Sequence, residues 1–401
     1  MFSRIFTAFE SRNFRLMWAG ACTSSIGTWM QKLAQSWLVL QLSGSPFWLG
    51  LDSFLGEIPI FLLALVAGVA ADRIDRRRVL LASQFLQMAC AFTLAALFAT
   101  GAVRVWHILS LSFLVGTAQA FGAPAYQSLI PSLVPKQHLP NAIAMNSIQF
   151  NLARVIGPVI GGFALTHLGA AWCFGLNGLS YVAVVVSLLL IQMTFLPAAH
   201  NESVMESIKG GIDFIRSKPE MLPLIWVAFV CTFLGIPIVV FLPVFAKDVF
   251  AGNAATYTLL LSVEAVGAIC GALFVAYKGR HAGLGRSAIL GLIGLGVFEA
   301  AFAWSRNLPL ALLFLFFGGF ALISCFALLS SLVQLVATDE MRGRVMSIYN
   351  IAFRGGMPIG SLVTGSLIPV FGVQSVVGVY GVLLAGLALY LLLVQRKITA
   401  L

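Results

Sequence analysis

Apolar residues run through this chain in long blocks, and a few polar residues punctuate them. A helix crossing a bilayer needs roughly 20 apolar residues. Charge clusters and turn residues divide the chain into about twelve such blocks: near 16–42, 48–71, 79–100 and 105–129, a fifth carrying 151–162, then 171–196, 221–245, 257–277, 287–304, 309–336, 345–371 and 373–393. Two-residue alternation is absent, which argues against an outer-membrane barrel. The pattern predicts an all-α integral membrane protein with twelve transmembrane helices.

The polar positions within the blocks are spaced to share faces. Ser25, Thr28, Lys32 and Gln35 fall on one side of the first helix, and a lysine at that depth has to meet a counter-charge or a watery cavity. The second span carries Asp52 and Glu57, with Glu57 near the midplane; Gln119 is the main polar residue deep in the fourth. Glu264 lies in the eighth, Arg354 in the eleventh, and Glu299, nearer the end of the ninth, is expected to snorkel to the interface. The stretch NLARVIGPVIGG at 151–162 sets Arg154 and a Gly-Pro pair inside an apolar helix, where both are costly. Gly157, Gly161 and Gly162 permit close helix approach, and Pro158 frees a backbone carbonyl.

The same pattern returns half a chain later. Ser147, Ile148, Arg154 and Pro158 reappear as Ser347, Ile348, Arg354 and Pro358, which indicates two related halves. The expected organisation is a six-helix bundle over 1–195, a linker over 196–220, and a second six-helix bundle over 221–401, the two being pseudo-symmetric. Ile208, Ile212 and Ile215 give the linker a short interfacial helix. Phe2, Ile5, Phe6 and Phe9, beside Arg4 and Arg12, suit another on the inner leaflet; a signal peptide is the rival reading, but no small-residue cleavage pattern follows. A duplicated bundle in lipid points to a transporter.

Composition narrows the picture. The 401 residues are 60% hydrophobic and 9% charged, too apolar for a soluble globule. The net charge of +10 suggests nucleic acid only until its placement is read. Arg12, Arg15, Arg73, Arg76, Arg77, Arg78, Lys136, Arg342 and Arg344 gather on one side, whereas Arg104, Lys247 and Arg306 are all the other side holds, which is the positive-inside signature with both termini cytoplasmic. No nucleic-acid partner is expected. The cysteines and histidines show no metal-ligand spacing, no GxxxxGK[ST] loop occurs, and no cluster at interface depth suits an enzyme. No cofactor or metal is expected.

These residues resemble the major facilitator superfamily, in particular its drug and siderophore exporter branch, over nearly the whole chain. Gly68, Asp72, Arg73, Arg76 and Arg77 match the superfamily's loop between helices two and three, with Asp75 in place of its second glycine. The block at 133–162 resembles the branch's most recognisable segment, and its GPxxGG resembles the antiporter motif of helix five. DEMRGRVMSIYNIAFRGGMPIG from Asp339 is its counterpart. GALFVAYKGR from Gly271 is a decayed copy of the Gly68 loop that keeps Gly271, Lys278 and Arg280. Helix four departs from related proton-driven exporters: Gly122 and Tyr126 stand where an Asp and an Arg belong, and its Arg104 is at the outer end.

The resemblance implies the major facilitator fold and export of a small amphipathic molecule, drug or siderophore, across the inner or plasma membrane by alternating access, with proton antiport; an importer or facilitator on the same fold is the alternative. It places helix two against eleven and five against eight, so Arg354 with Glu57 and Arg154 with Glu264 are expected cross-half pairs. Either carboxylate could be a latch or a proton carrier. Asp72 is expected to bond free amides at the start of helix eleven. The expected cavity, on helices one, four, seven and ten, holds Trp29, Lys32, Gln35, Gln119, Thr232, Phe233, Ser324, Phe326 and Gln334. A single chain is the expected working unit, with the substrate, protons and the lipid bilayer as its partners.

Overall fold

The structure, a computed structural model, describes residues 6–191, 204–279 and 283–394, and their side chains except those of 65, 68–73 and 204–208. The regular structure among these residues is entirely helical. The chain divides into two compact units, residues 1–43 with 55–201 and residues 44–54 with 202–401. Residues 44–54, expected with the first half, group with the second.

Unit one is built from α1 (Arg12–Ser43), most of α2 (Pro46–Arg73), α3 (Arg76–Ala99), α4 (Val105–Leu129), α5 (Leu139–His167) and α6 (Ala170–Leu190). α1 packs on α5 and α6, while α3 is held between α4 and α6. Unit two has α7 (Val204–Ser217), then a seventh span broken into α8 (Met221–Gly235), α9 (Pro237–Val240), α10 (Leu242–Val244) and a π-helical turn (Phe245–Val249). Pro237 and Pro243 sit at the breaks because neither can donate the amide a continuous helix needs. α11 (Ala254–Lys278), α12 (Leu284–Trp304), α13 (Leu308–Val336), α14 (Arg342–Phe371) and α15 (Val373–Val394) complete it. Here α8 packs on α14, and α12 is held between α13 and α15.

This is the arrangement of unit one repeated. The turns repeat too: Gly169, between α5 and α6, has φ +90°, and Gly372, between α14 and α15, has φ +80°, a left-handed backbone that glycine adopts without steric cost. Eleven helices among the described residues are long and apolar enough to span a membrane. α1 is the twelfth long helix, and its polar face, with Gln31, Lys32 and Gln35, dilutes its hydropathy.

One short element differs from expectation. The N-terminal residues do not form a surface helix over Phe6 and Phe9. They make a 3-10 turn (Thr7–Glu10) in which Ala8 is fully buried and its amide donates to Asn141 Oδ1 at 2.9 Å. The Phe9 ring packs edge-on against Phe14 and Trp18, at 5.5 and 5.1 Å. The bundle offers these aromatics a better apolar contact than the lipid headgroups. Phe2 and Ile5 lie outside the described residues. The expected amphipathic helix of the linker forms as α7, with α14 and α8 as its neighbours. A Cβ on Gly211 would sit 2.7 Å from Ile348 Cδ1, and Ile215 is buried.

Residues 44–54 group with unit two through small residues. A Cβ on Gly50 would lie 2.5 Å from the Ser361 carbonyl and 3.1 Å from Gly365 Cα, and Ser53 Oγ donates to Ser361 Oγ at 3.2 Å.

The turn before α3 is closed by Asp75, which N-caps the helix by accepting from the Arg77 amide at 2.9 Å. Asp75→Ala should lower stability by about 1 kcal/mol, and Asp75→Asn, which can still cap, should stay close to wild type. Thermal unfolding of the detergent-solubilised protein measures both.

Candidate functional site

Two cations of unit one, Lys32 and Arg154, meet at Trp29. Lys32, one turn on, puts Nζ 5.4 Å from the centre of the indole, and the Arg154 guanidinium of α5 lies 5.8 Å from it. Two cations thus share one aromatic ring, each within the distance at which the ring quadrupole attracts a positive charge. Phe150, a turn before Arg154, meets the ring edge-on at 6.2 Å. Lys32 Nζ is also 3.7 Å from Glu57 Oε1 of α2, with the lysine side chain 51% and the glutamate 17% exposed. Glu57 therefore has a counter-charge on its own unit, in Lys32, which the sequence reading had not paired with it.

α5 comes this close to α1 because its contact face lacks side chains. A Cβ on Gly157 would stand 2.5 Å from Trp29 Cβ and 2.8 Å from the Ile26 carbonyl, and one on Gly161 would be 3.0 Å from Met30 Cα. Pro158 and Gly162 are buried on the same helix. Proline lacks the amide that would bond the carbonyl four residues back, and that carbonyl belongs to Arg154. Sequence and site meet here: the glycines bring the helices together, and the arginine beside them lands on the indole.

Beneath the cluster runs a network of uncharged polar groups that the sequence reading did not predict. Thr28 is 3.3 Å from Tyr181 OH, Tyr181 donates to Gln87 Oε1 at 3.3 Å, and Gln119 donates to the same oxygen at 3.4 Å. Gln87 donates to Ser83 Oγ at 3.0 Å. Asn177 donates to Gln31 Oε1 at 2.7 Å, Gln149 to Ser25 Oγ at 2.7 Å, and Gln35 to Ser112 Oγ at 2.9 Å. Helices α1, α3, α4, α5 and α6 are joined by these bonds, as amides buried in an apolar medium require. The available signal was a carboxamide, Gln87 or Asn177, within a mainly apolar span.

In unit two the expected cavity residues separate. Phe326 packs edge-on against Phe353 at 4.7 Å, Phe233 stacks with Phe229 at 6.0 Å, and Gln334 is exposed, donating to Ser330 Oγ at 3.3 Å. Thr232 and Ser324, expected to line a cavity, are 1% and 3% exposed. Thr232 fills the contact at Gly356, and Ser324 donates to the Gly271 carbonyl at 3.3 Å, so both serve helix packing. Arg354 is exposed and Glu264 is buried at 1%. Glu299 does not snorkel: it is fully buried, because close packing of α12 on α15 closes its way out.

Of the loop between α2 and α3, Gly68, Asp72 and Arg73 lie outside the residues whose side chains are described. Arg76 and Arg77 close helix ends. Arg76 Nη1 donates to the Ser128 carbonyl at 2.9 Å, and Arg77 Nη2 to the Leu189 carbonyl at 3.0 Å. Those oxygens belong to the last turns of α4 and α6, where unpaired carbonyls and the dipole both favour a cation. Lys278, in the decayed copy, donates to Ser287 Oγ; Arg280 lies outside the described residues.

Known proteins share this architecture and sequence. The fold matches the nucleoside transporter NupG with a TM-score of 0.74 at 14% identity, covering 96% of this chain and 99% of that one. It also matches a bacterial homologue of the human lysosomal transporter Spinster, with a TM-score of 0.71 at 15% identity, covering 96% and 97%. In sequence the chain is 25% identical over 380 residues to the staphyloferrin A transporter of Staphylococcus aureus, 93% of this chain and 94% of that protein. It is 26% identical over 366 residues to the multidrug efflux pump Tap of Mycolicibacterium fortuitum, 88% and 89%. It is 24% identical over 396 residues to the enterobactin exporter of Shigella boydii, 96% and 92%. The family model described as transmembrane secretion effector matches residues 3–400. The chain therefore belongs to that family, as a multi-pass membrane transporter of the major facilitator superfamily in its drug and siderophore exporter branch.

Proposed function

We propose that the chain exports a small amphipathic molecule of the drug or siderophore class across the inner or plasma membrane by alternating access, in exchange for protons, with both termini cytoplasmic. The observation that carries this reading is the Trp29 cluster. An indole with two cations and one carboxylate around it offers an apolar face and charge in the same place, which suits a molecule with both characters. The relatives described above, a siderophore transporter, a multidrug efflux pump and an enterobactin exporter, support the same direction and class. Arginines on the α2–α3 turn and on the entry to α14 support cytoplasmic termini.

Each member of the cluster has a separate role in this reading. Trp29 supplies the surface on which an apolar or aromatic part of the substrate rests. Arg154 and Lys32 hold that ring by its faces and attract an acidic or polar substituent. Glu57 holds Lys32 in place. Gln35, fixed to Ser112, extends the polar side of α1.

Three measurements test the proposal. Labelled erythromycin should accumulate in inside-out vesicles that contain the protein and not in right-side-out ones; the reverse would favour the importer reading. Trp29→Ala should cut that uptake at least tenfold, about 1.4 kcal/mol of lost interaction, while Trp29→Phe, which keeps a weaker ring quadrupole, should lose less. Glu57→Gln should slow uptake by freeing Lys32 yet leave its pH dependence as in wild type, since Glu57 positions a lysine and does not carry the proton.

A further inference from the structure

α12 runs through unit two with α15, α13 and α8 packed around it. Glu299 lies on it, roughly 7.5 Å of helix before its end at 1.5 Å per residue, and is fully buried. Both carboxyl oxygens are buried, and neither has a hydrogen-bond partner among the described residues. The surrounding helices bring no cation: α8, α13 and α15 contain no Lys, Arg or His, and Arg286 is at the far end of α12. The titratable groups that face Glu299 are Cys231 of α8 and Tyr380 of α15. Cys325 of α13 donates to the Ala288 carbonyl of α12 at 3.7 Å. Lys247 and Asp248, on the turn that reaches α12 through the Phe245 and Phe302 rings, are exposed.

The packing explains why the carboxyl stays inside. A Cβ on Gly296 would collide with the Gly381 carbonyl, and one on Gly381 would be 2.5 Å from the Ala300 amide. α12 and α15 meet backbone to backbone and leave a side chain no path to water. An ionised carboxylate there gives up its hydration with no opposite charge or donor in return, a cost a neutral acid largely escapes. On the neighbouring α14, Thr364 donates to Tyr380 OH at 3.3 Å, and one turn away Ser361 accepts from Ser53 at 3.2 Å.

We propose that Glu299 is the proton-binding site of unit two, a neutral acid while α12 and α15 are closed on each other, which gives its proton to water when that contact loosens. The bond broken is the acid O–H, the proton passes to water, and recharging is the reverse. Proton binding stands on the burial of Glu299 by itself; its use in driving export rests on the reading of the chain as a secondary transporter.

The experiment separates the two. Infrared spectra of the purified full-length protein in lipid vesicles at neutral pH should show the carbonyl stretch of a protonated carboxylic acid, shifted in D2O. Glu299→Gln should abolish that band and Glu57→Gln should keep it. Glu299→Asp should move the band, which provides the readout if the glutamine variant fails to fold. A band unaltered by both substitutions at 299 overturns the proposal. In inside-out vesicles, Glu299→Gln should exchange labelled for unlabelled erythromycin at the wild-type rate and lose acceleration by an imposed pH gradient. Acceleration retained in full overturns the coupling role. A wild type that moves no erythromycin counts against the exporter reading, and the infrared band still decides the proton site.

Discussion

A polar group in a bilayer core has no water to fall back on, so each has to be satisfied by the protein itself. That requirement organises unit one. Lys32 takes Glu57 and the face of Trp29, Arg154 takes the same indole, and the amides of Gln87, Gln149 and Asn177 are bonded across helices. The charged cluster is partly open, and the amide network below it is closed.

Close helix approach makes those partnerships possible. Helix association in lipid gains little from burying apolar surface, so it depends on backbones that come near enough for dispersion contacts and short side chains to act. Gly157 and Gly161 do this for α1 and α5. In unit two Gly356 and Gly360 do it for α14 on α8, and Gly296 with Gly381 for α12 on α15. The same device has opposite results. Beside Gly157 it brings an arginine onto a ring, and beside Gly381 it encloses an acid that has no hydrogen-bond partner among the described residues. The two units thus keep one architecture while their internal charges have diverged.

The loop arginines show how a sequence motif can carry two physical roles. Arg76 and Arg77 contribute positive charge to the turn between α2 and α3. They also satisfy the terminal carbonyls of α4 and α6, so neutralising either would loosen a helix end as well as alter charge balance. Asp75, which breaks the resemblance to the superfamily loop, is accounted for by the N-cap it provides to α3.

The sequence by itself determined the membrane class, the long helices, the duplication and the family, because span length, hydropathy and the repeat of Arg154 and Pro158 at Arg354 and Pro358 are local properties of the chain. It also marked Lys32, Glu57 and Arg154 as costly residues in need of partners. Only the tertiary structure decided which partners. Lys32 and Glu57 lie on different helices, and their pairing depends on rotations about helix axes that hydropathy does not encode. Glu299 is the clearest case: five residues from a helix end, it reads as a side chain that can reach water, and the approach of α15 through Gly381 removes that exit. Thr232 and Ser324 were drawn into helix packing for the same reason, since which face of a helix meets a neighbour is settled by the small residues on both sides of the contact.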